Sequence, residues 1–332
     1  MRLTSFSVPG VTGAQTRIGC VREDGTTIDL NLGYRRLLAR QHGLGEAAAA
    51  RIADAVVPAD MRSFIENGSP ALDAARLVMA APEGDPAAGA AVAAVAADGM
   101  TPLAPLPAPP LIRDFMAFEE HLNNIYPRLG REIPPGWYEM PVYYKGNPAS
   151  VGGPGDVIGI PGYADDLDFE FEFAAVIGRG GADIQPEDAL SHVFGFMIYN
   201  DFSARAIQQR ETAVGLGPAK GKDFHGAHVF GPWLVTADEV PDVYDLSMRA
   251  ELNGELWCES STATMHWRFE DMIAHASRDE TLRPGEIFGS GTVGGGSALE
   301  RGSSLRTGDR VALSVAGLGT LRNEVGAAKQ PR

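Results

Sequence analysis

Cysteine is almost absent from this chain: among 332 residues only Cys20 and Cys258 occur, far apart and outside any C-x-x-C spacing. That excludes a disulfide framework and a zinc knuckle, and it fits a reducing cytoplasm. Positive charge is also short. Lys plus Arg number 28 against 43 Asp plus Glu, a formal charge of -15, and a surface of that sign repels phosphate backbones and anionic lipid heads. No nucleic acid and no membrane is expected as a partner. No run reaches the roughly 18 apolar residues that span a bilayer, and Met1-Arg2-Leu3-Thr4-Ser5-Phe6-Ser7 lacks the apolar core of a signal peptide. The expectation is a soluble, cytoplasmic protein.

Glycine and proline, by contrast, are plentiful at 40 and 23 residues, and with 44% apolar and 21% charged residues this is a loop-rich globular composition. The length allows two domains and a sizeable core. Two short β-like runs flank Asp24-Gly25, a two-residue hairpin signal, and residues 33 to 80 carry helical patterns. Residues 84 to 98 are alanine-rich and read as a covering helix or connection without chemistry. Pro102-Leu103-Ala104-Pro105-Leu106-Pro107-Ala108-Pro109-Pro110 is stiff and extended, because proline fixes φ and restricts the residue before it. This predicts a small N-terminal α+β domain over 1–100, a proline-rich linker over 101–110, a catalytic domain over 111–325 and a tail over 326–332. The last third alternates turn signals such as Arg283-Pro284-Gly285-Glu286 with strands such as Arg310-Val311-Ala312-Leu313-Ser314-Val315, which suits a mixed β-roll or sandwich. The fold class is therefore α+β and rich in β.

The densest chemistry lies between Asp168 and Asp223. Asp168-Phe169-Glu170-Phe171-Glu172-Phe173 alternates acid and phenylalanine, so on a strand the acids share one face and the rings the other. Acids on one strand face are ordinarily solvated. Here the buried-strand run Val193-Phe194-Gly195-Phe196-Met197-Ile198-Tyr199 delivers the chain to Asn200-Asp201-Phe202-Ser203-Ala204-Arg205, read as a helix start. At 3.6 residues per turn, Asp201, Arg205, Gln208 and Thr212 would line one stripe of that helix. Lys222 follows in a glycine-rich loop. Upstream, Asp114 and His121 are seven apart on a helical pattern, and Met140 to Ser150 is a strand entering a polar turn. His225 and His228 read as loop histidines, and Cys258 beside Trp257 as packing.

Taken together, Asp114-Phe115 with His121, Glu170-x-Glu172, Asn200-Asp201-Phe202-Ser203-Ala204-Arg205-x-x-Gln208, Lys222 nine residues before Gly231-Pro232, and Gly289-Ser290-Gly291-Thr292 resemble the fumarylacetoacetate hydrolase family over about residues 110 to 325. The resemblance implies metal ligands at Asp114, Glu170, Glu172 and Asp201, and a catalytic histidine at His121. It places the histidine's glutamate partner at Glu300, within Ser297-Ala298-Leu299-Glu300. Lys222 is implied in catalysis, and Tyr144, Arg205, Gln208 and Thr292 in substrate binding. The chain departs from the eukaryotic enzyme at Thr212, where that enzyme has a substrate-contacting tyrosine, and at Gly226, where it has a threonine. A homodimer is implied as well.

An all-oxygen ligand set selects a hard divalent cation, Mg²⁺ first and Mn²⁺ or Ca²⁺ next, over Zn²⁺. Such a site suits a small anionic 2-oxo acid. The leading expectation is a hydrolase cleaving a C–C bond in an acylpyruvate-type β-diketone, with water activated by His121. A decarboxylase, hydratase or isomerase of a 2-oxo acid could use the same enolate, and a noncatalytic cation-stabilised binding module is the reading from another class. Capture of an anion must then rest on local cations, namely Arg205, Lys222, Lys145 and Arg128 or Arg131, with the segment from Arg128 to Tyr138 closing as a lid.

Overall fold

Strings of β-branched and aromatic residues with a period of two become the strands of this protein. The computed structural model describes residues 1–10, 13–80 and 93–327. Among them, one sheet has twelve strands and a second has five. The centre of the large sheet is an antiparallel set, Phe171–Ile177, Val193–Asp201 and His228–Thr236. Ile287–Gly289 pairs antiparallel with the first of these, and Ile112–Phe115 lies parallel to Ile287–Gly289. Tyr143–Gly146 then pairs antiparallel with Ile112–Phe115. The small sheet runs in the order Glu255–Ser261, Ser247–Leu252, Arg310–Val315, Gly319–Gly326, Val157–Gly159.

The alternation at 168–173 decides which face is which. Phe169, Phe171 and Phe173 are fully buried in a core shared with Val311, Leu313 and Val315 of the small sheet and Phe269 of the helix Phe269–Ala276. Each such ring contributes about 1.5–3 kcal/mol by leaving water. On the opposite face, Ala174 and Val176 pack with Met197, Tyr199, Phe64 and Val78, so N-terminal helices cover that side. Glu170 and Glu172 belong to this second face, at the end the helices leave uncovered, and that puts the acids at the mouth of the sheet.

The N-terminal residues form an α+β arrangement: paired strands Arg2–Gly10 and Gly13–Val21, then helices Leu30–His42, Glu46–Val56, Met61–Glu66 and Ser69–Met79. Asp29 caps the first helix, its side chain accepting from Leu32 N at 2.9 Å. This part is not set apart from the rest. Arg2–Gly10 pairs with His228–Thr236, with Leu3 opposite Leu234, so the large sheet runs through both regions. The proline-rich stretch expected as a linker over 101–110 is fastened: Thr101–Leu103 pairs with Arg2–Gly10, and Ala104 and Leu106 are buried. The reason is that Ala104 and Leu106 supply apolar side chains between the prolines, and Ser5 Oγ donates to the Pro105 carbonyl at 2.8 Å. Of the alanine-rich 84–98 reading, residues 84–92 lie outside the described residues, as do residues 328–332 of the expected tail. Among the described residues no helix is long and apolar enough to cross a membrane.

Candidate metal centre and active site

Three strands bring four carboxylates to one place. Asp114 comes from Ile112–Phe115, Glu172 from Phe171–Ile177, Glu170 from the residue just before that strand, and Asp201 from the end of Val193–Asp201. One oxygen of each lies within 4.8 Å of the others, and all four residues are buried. Gly289 is opposite Asp114 in register, and a Cβ there would stand 2.5 Å from Asp114 Oδ1. The absent side chain is what admits the carboxylate.

The expected helix start at Asp201 is corrected by the backbone. Asp201 N–H donates to the Glu170 carbonyl at 3.1 Å, and Asp201 pairs with His228, so it ends a strand; the helix is Arg205–Ala213. Arg205 and Gln208 still meet on that helix, Nη1 donating to Oε1 at 3.0 Å.

Two cations counter the acids. Lys222 Nζ donates to Glu170 Oε2 and Asp201 Oδ2. Arg205 Nη2 lies 2.7 Å from both Glu170 Oε1 and Asp168 Oδ2. The Tyr144 hydroxyl donates to Asp201 Oδ2 at 2.7 Å. Glu172 accepts from Gly291 N at 2.9 Å and faces Thr292 Oγ1 at 3.4 Å.

These contacts divide the cluster electrostatically. Burial alone would push Asp201 and Glu170 up, but the Lys222 ammonium overrides it at Asp201 and the Arg205 and Lys222 charges override it at Glu170, so both fall below the usual carboxylate range. Burial would lower Lys222 and Arg205, and their carboxylate partners raise them instead. Lys222 also acts on Asp114, but neither Asp114 nor Glu172 hydrogen-bonds to either cation. Burial first, then the charge of Asp201 on Asp114 and of Asp114 on Glu172, lifts both well above the ordinary value. Within the cluster, Asp114 Oδ1 and Asp201 Oδ1 are buried and make no well-aligned hydrogen bond. Oxygen-only donors, two of them without an aligned partner, fit a hard divalent cation.

His121 stands beside this cluster on the short helix Glu119–Ile125. Its Nδ1 lies 2.7 Å from Glu300 Oε1. Glu300 is itself held: Oε2 accepts from Asn124 Nδ2 at 2.6 Å and from Gly295 N at 2.7 Å, and Ser297 Oγ lies 3.3 Å from Oε1. Burial would raise Glu300, but the bond to His121 outweighs it and lowers the carboxyl below its usual range. With Nδ1 committed to Glu300, Nε2 is the ring nitrogen left for chemistry.

A cavity of about 370 Å³ opens over these groups. Asp114, Glu170, Glu172, His121, Lys222, Tyr144, Arg205, Gln208 and Thr292 all line it; Asp201 lies behind Lys222 and Tyr144, and Glu300 behind His121. The lining also includes the apolar side chains of Met116, Ile125, Leu129 and Val142, with Tyr143 and Arg131. Lys145 is not in this wall; it is exposed and 3.8 Å from Glu280. Thr212 lines the cavity, but its hydroxyl donates to the Gln208 carbonyl at 3.0 Å.

Some functional positions escaped the sequence. Asp168 shares the acid stripe but is no part of the four-acid cluster: it accepts from Arg205 Nε at 2.8 Å, Ala298 N at 2.7 Å and Leu299 N at 3.1 Å, joining the arginine to the turn before Glu300. His228, read as a loop histidine, opens the strand His228–Thr236 and is fully buried beside Asp201. Its signal was position, since it leads directly into the apolar run Val229-Phe230. His225 is exposed. Cys258 is pushed up to about 12 by burial, which suits packing.

Residues 111–326 match the family model described as fumarylacetoacetate (FAA) hydrolase C-terminal. By sequence the chain is 32% identical over 274 residues to an oxaloacetate tautomerase, fahd2, mitochondrial, of Xenopus laevis, covering 82% of this chain and 80% of the relative. The fumarylacetoacetate hydrolase of psychrophilic Exiguobacterium antarcticum superposes with a TM-score of 0.68 at 26% identity, covering 98% of this chain and 99% of that one. A maleylpyruvate hydrolase of Sphingobium sp. SYK-6, in complex with manganese(II) and pyruvate, shares the fold with a TM-score of 0.69 at 22% identity, covering 99% and 100%.

Proposed function

The chain belongs to the fumarylacetoacetate hydrolase family, and from that premise we propose that it is a metal-dependent hydrolase cleaving a C–C bond in an acylpyruvate. The observation that carries this reading is the His121–Glu300 pair set against four buried carboxylates, at a cavity whose lining is partly apolar. A cavity of about 370 Å³ is more than a four-carbon acid fills, and Met116, Ile125, Leu129, Val142 and Tyr143 in its lining suit an acyl tail.

Asp114, Glu170, Glu172 and Asp201 would hold a divalent cation, Mg²⁺ before Mn²⁺ or Ca²⁺, whose Lewis acidity favours the enolate of a 2-oxo acid. The remaining work falls to side chains. Glu300 fixes the His121 ring and stabilises its protonated form; Nε2 takes a proton from water, and the water oxygen adds to the acyl carbonyl carbon. Lys222 and Arg205 face the charge that develops on oxygen. As the C–C bond breaks, its electron pair stays on the pyruvate carbon, and His121 returns the proton there. The products are a carboxylate and pyruvate.

A second reading is tautomerisation of oxaloacetate, favoured by the name of the Xenopus relative. There His121 would move a C3 proton instead of activating water. Metal-loaded protein given an alkyl acylpyruvate and, separately, oxaloacetate decides between them by product. Release of pyruvate and the free acid supports the hydrolase, whereas keto–enol exchange of oxaloacetate with no acylpyruvate cleavage selects the tautomerase. A homodimer in the cytoplasm belongs to the same proposal, and light scattering of the purified protein tests the dimer.

A further inference from the structure

His228 and Asp201 are cross-strand partners in register, so their side chains rise from one face of the sheet. The ring of His228 is fully buried. Its Nδ1 lies 3.1 Å from Asp201 Oδ1 and 2.8 Å from the Tyr199 hydroxyl. Nε2 is buried with no hydrogen-bond partner among the described residues. A proton on Nε2 would meet no acceptor, and the Nδ1 lone pair, though able to accept from the Tyr199 hydroxyl, would then also face the Asp201 carboxylate; a proton on Nδ1 turns an N–H toward Asp201 and leaves only the Nε2 lone pair unpaired. The ring also has a built slot. A Cβ on Gly146, at the end of the strand Tyr143–Gly146, would stand 3.0 Å from both Cε1 and Nε2 of His228.

We propose that His228 is a positioning residue, its Nδ1–H setting the plane of the Asp201 carboxylate for a divalent cation; this rests on the metal reading above. Lys222 and Tyr144 already engage Asp201 Oδ2. With those two donors alone the carboxylate pivots about its held oxygen. His228 approaches Oδ1 from the other side without a well-aligned bond, which orients that oxygen yet leaves it a lone pair. Groups that orient a ligand typically change metal affinity by about 10–100-fold when removed.

The test measures Mn²⁺ dissociation constants, from the EPR signal of free Mn²⁺, for the full-length wild type and for His228→Ala, His228→Asn and His228→Gln, with melting of the metal-free proteins in parallel. The expected result is about 10–100-fold weaker binding in His228→Ala, recovery of most of it in His228→Asn, whose amide nitrogen stands near the Nδ1 position, and no recovery in His228→Gln. Nitrogen-15 NMR of labelled histidine should show the Nδ1–H tautomer at His228. Wild-type affinity in the alanine or glutamine variant, equal affinities in the asparagine and glutamine variants, or an Nε2–H tautomer overturns the proposal. If the alanine variant does not fold, the asparagine–glutamine pair still decides. Wild-type protein that binds neither Mn²⁺ nor Mg²⁺ sinks the metal reading and this inference with it. Wild-type binding with unchanged variants sinks the inference alone.

Discussion

At the scale of single residues, the roles separate by what each side chain touches. His121 contacts Glu300 and none of the four acids through a hydrogen bond, so His121→Ala should lower hydrolytic turnover by about a hundredfold or more while metal affinity stays near wild type. Stopped-flow turnover beside Mn²⁺ titration checks this, and lost metal binding with unchanged turnover per bound ion would reverse the assignment. A noncatalytic binding module would lose no function in this variant. Asp114 and Glu172 give a second expectation. Burial and neighbouring charge raise both above the ordinary value, so a cation competes with protons for these carboxyls. Cation affinity should therefore rise with pH, with proton release seen by calorimetry in buffers of different ionisation enthalpy. The sign for stability is opposite: an unfolded carboxylate ionises first, so the metal-free protein loses stability as pH climbs past the ordinary carboxylate range. A pH-independent affinity without proton release would show that these two acids are already ionised. The sequence displayed Glu170, Glu172 and Asp201 through alternation and motif order. It hid Asp168's bonds to the 298–299 backbone, because those contacts cross 130 residues and more of chain.

Element periodicity explains both the success and the error in reading this site. A strand with period two fixes sidedness, so the phenylalanines at 169, 171 and 173 enter one core and the acids face away from it. The helix boundary was less legible, since Asn, Asp and Ser favour a helix start by local chemistry but here spend their backbone groups on neighbouring strands: Asp201 N–H on Glu170 O, Ser203 N–H on Asp168 O. The segment after His121 has its own anchor. It forms turns at Pro127–Leu129 and Pro135–Tyr138, and Trp137 is buried with Nε1 donating to the Met116 carbonyl at 2.7 Å. The segment expected to close as a lid, Arg128 to Tyr138, is therefore fastened near its C-terminal end. On the helix Arg205–Ala213, the Thr212 hydroxyl is tied to backbone carbonyls. It offers no long polar reach to a distal carboxylate, and a monocarboxylic acylpyruvate should have a higher kcat/KM than fumarylacetoacetate. Side-by-side kinetics settle it. Preference for the dicarboxylate, abolished by Arg131→Ala, would move distal recognition to that arginine.

For the whole molecule, charge and the continuous sheet make opposite demands. A net charge of -15 provides no long-range attraction for an anionic substrate, so capture depends on Lys222, Arg205 and Arg131 inside the cavity. Arg205 and Lys222 are held by Glu170 and Asp201 at the ends of strands of the large sheet, and that sheet is not a property of residues 111–325 alone. Composition marked the proline-rich stretch as a break, whereas pairing of Arg2–Gly10 with His228–Thr236 depends on partners over 200 residues apart and leaves no local trace. We propose residues 111–325 as the catalytic domain in the sense of carrying the site, with residues 1–100 as its structural cover. Removing residues 1–100 would expose Ala174, Val176, Met197, Tyr199 and Phe230, which now pack against Leu3, Ile18 and Phe64. It would also unpair Leu234 and Val235 on the strand His228–Thr236, leaving an open edge there, while the His228 end keeps its pairing with Val151 and Gly152. The truncated chain should therefore aggregate or lose its fixed aromatic environment, read by size-exclusion chromatography and near-ultraviolet circular dichroism, and should bind Mn²⁺ weakly. A soluble fragment that melts cooperatively and binds the ion like the full chain would show that the catalytic region folds without its cover, and that the shared sheet stabilises the N-terminal residues alone.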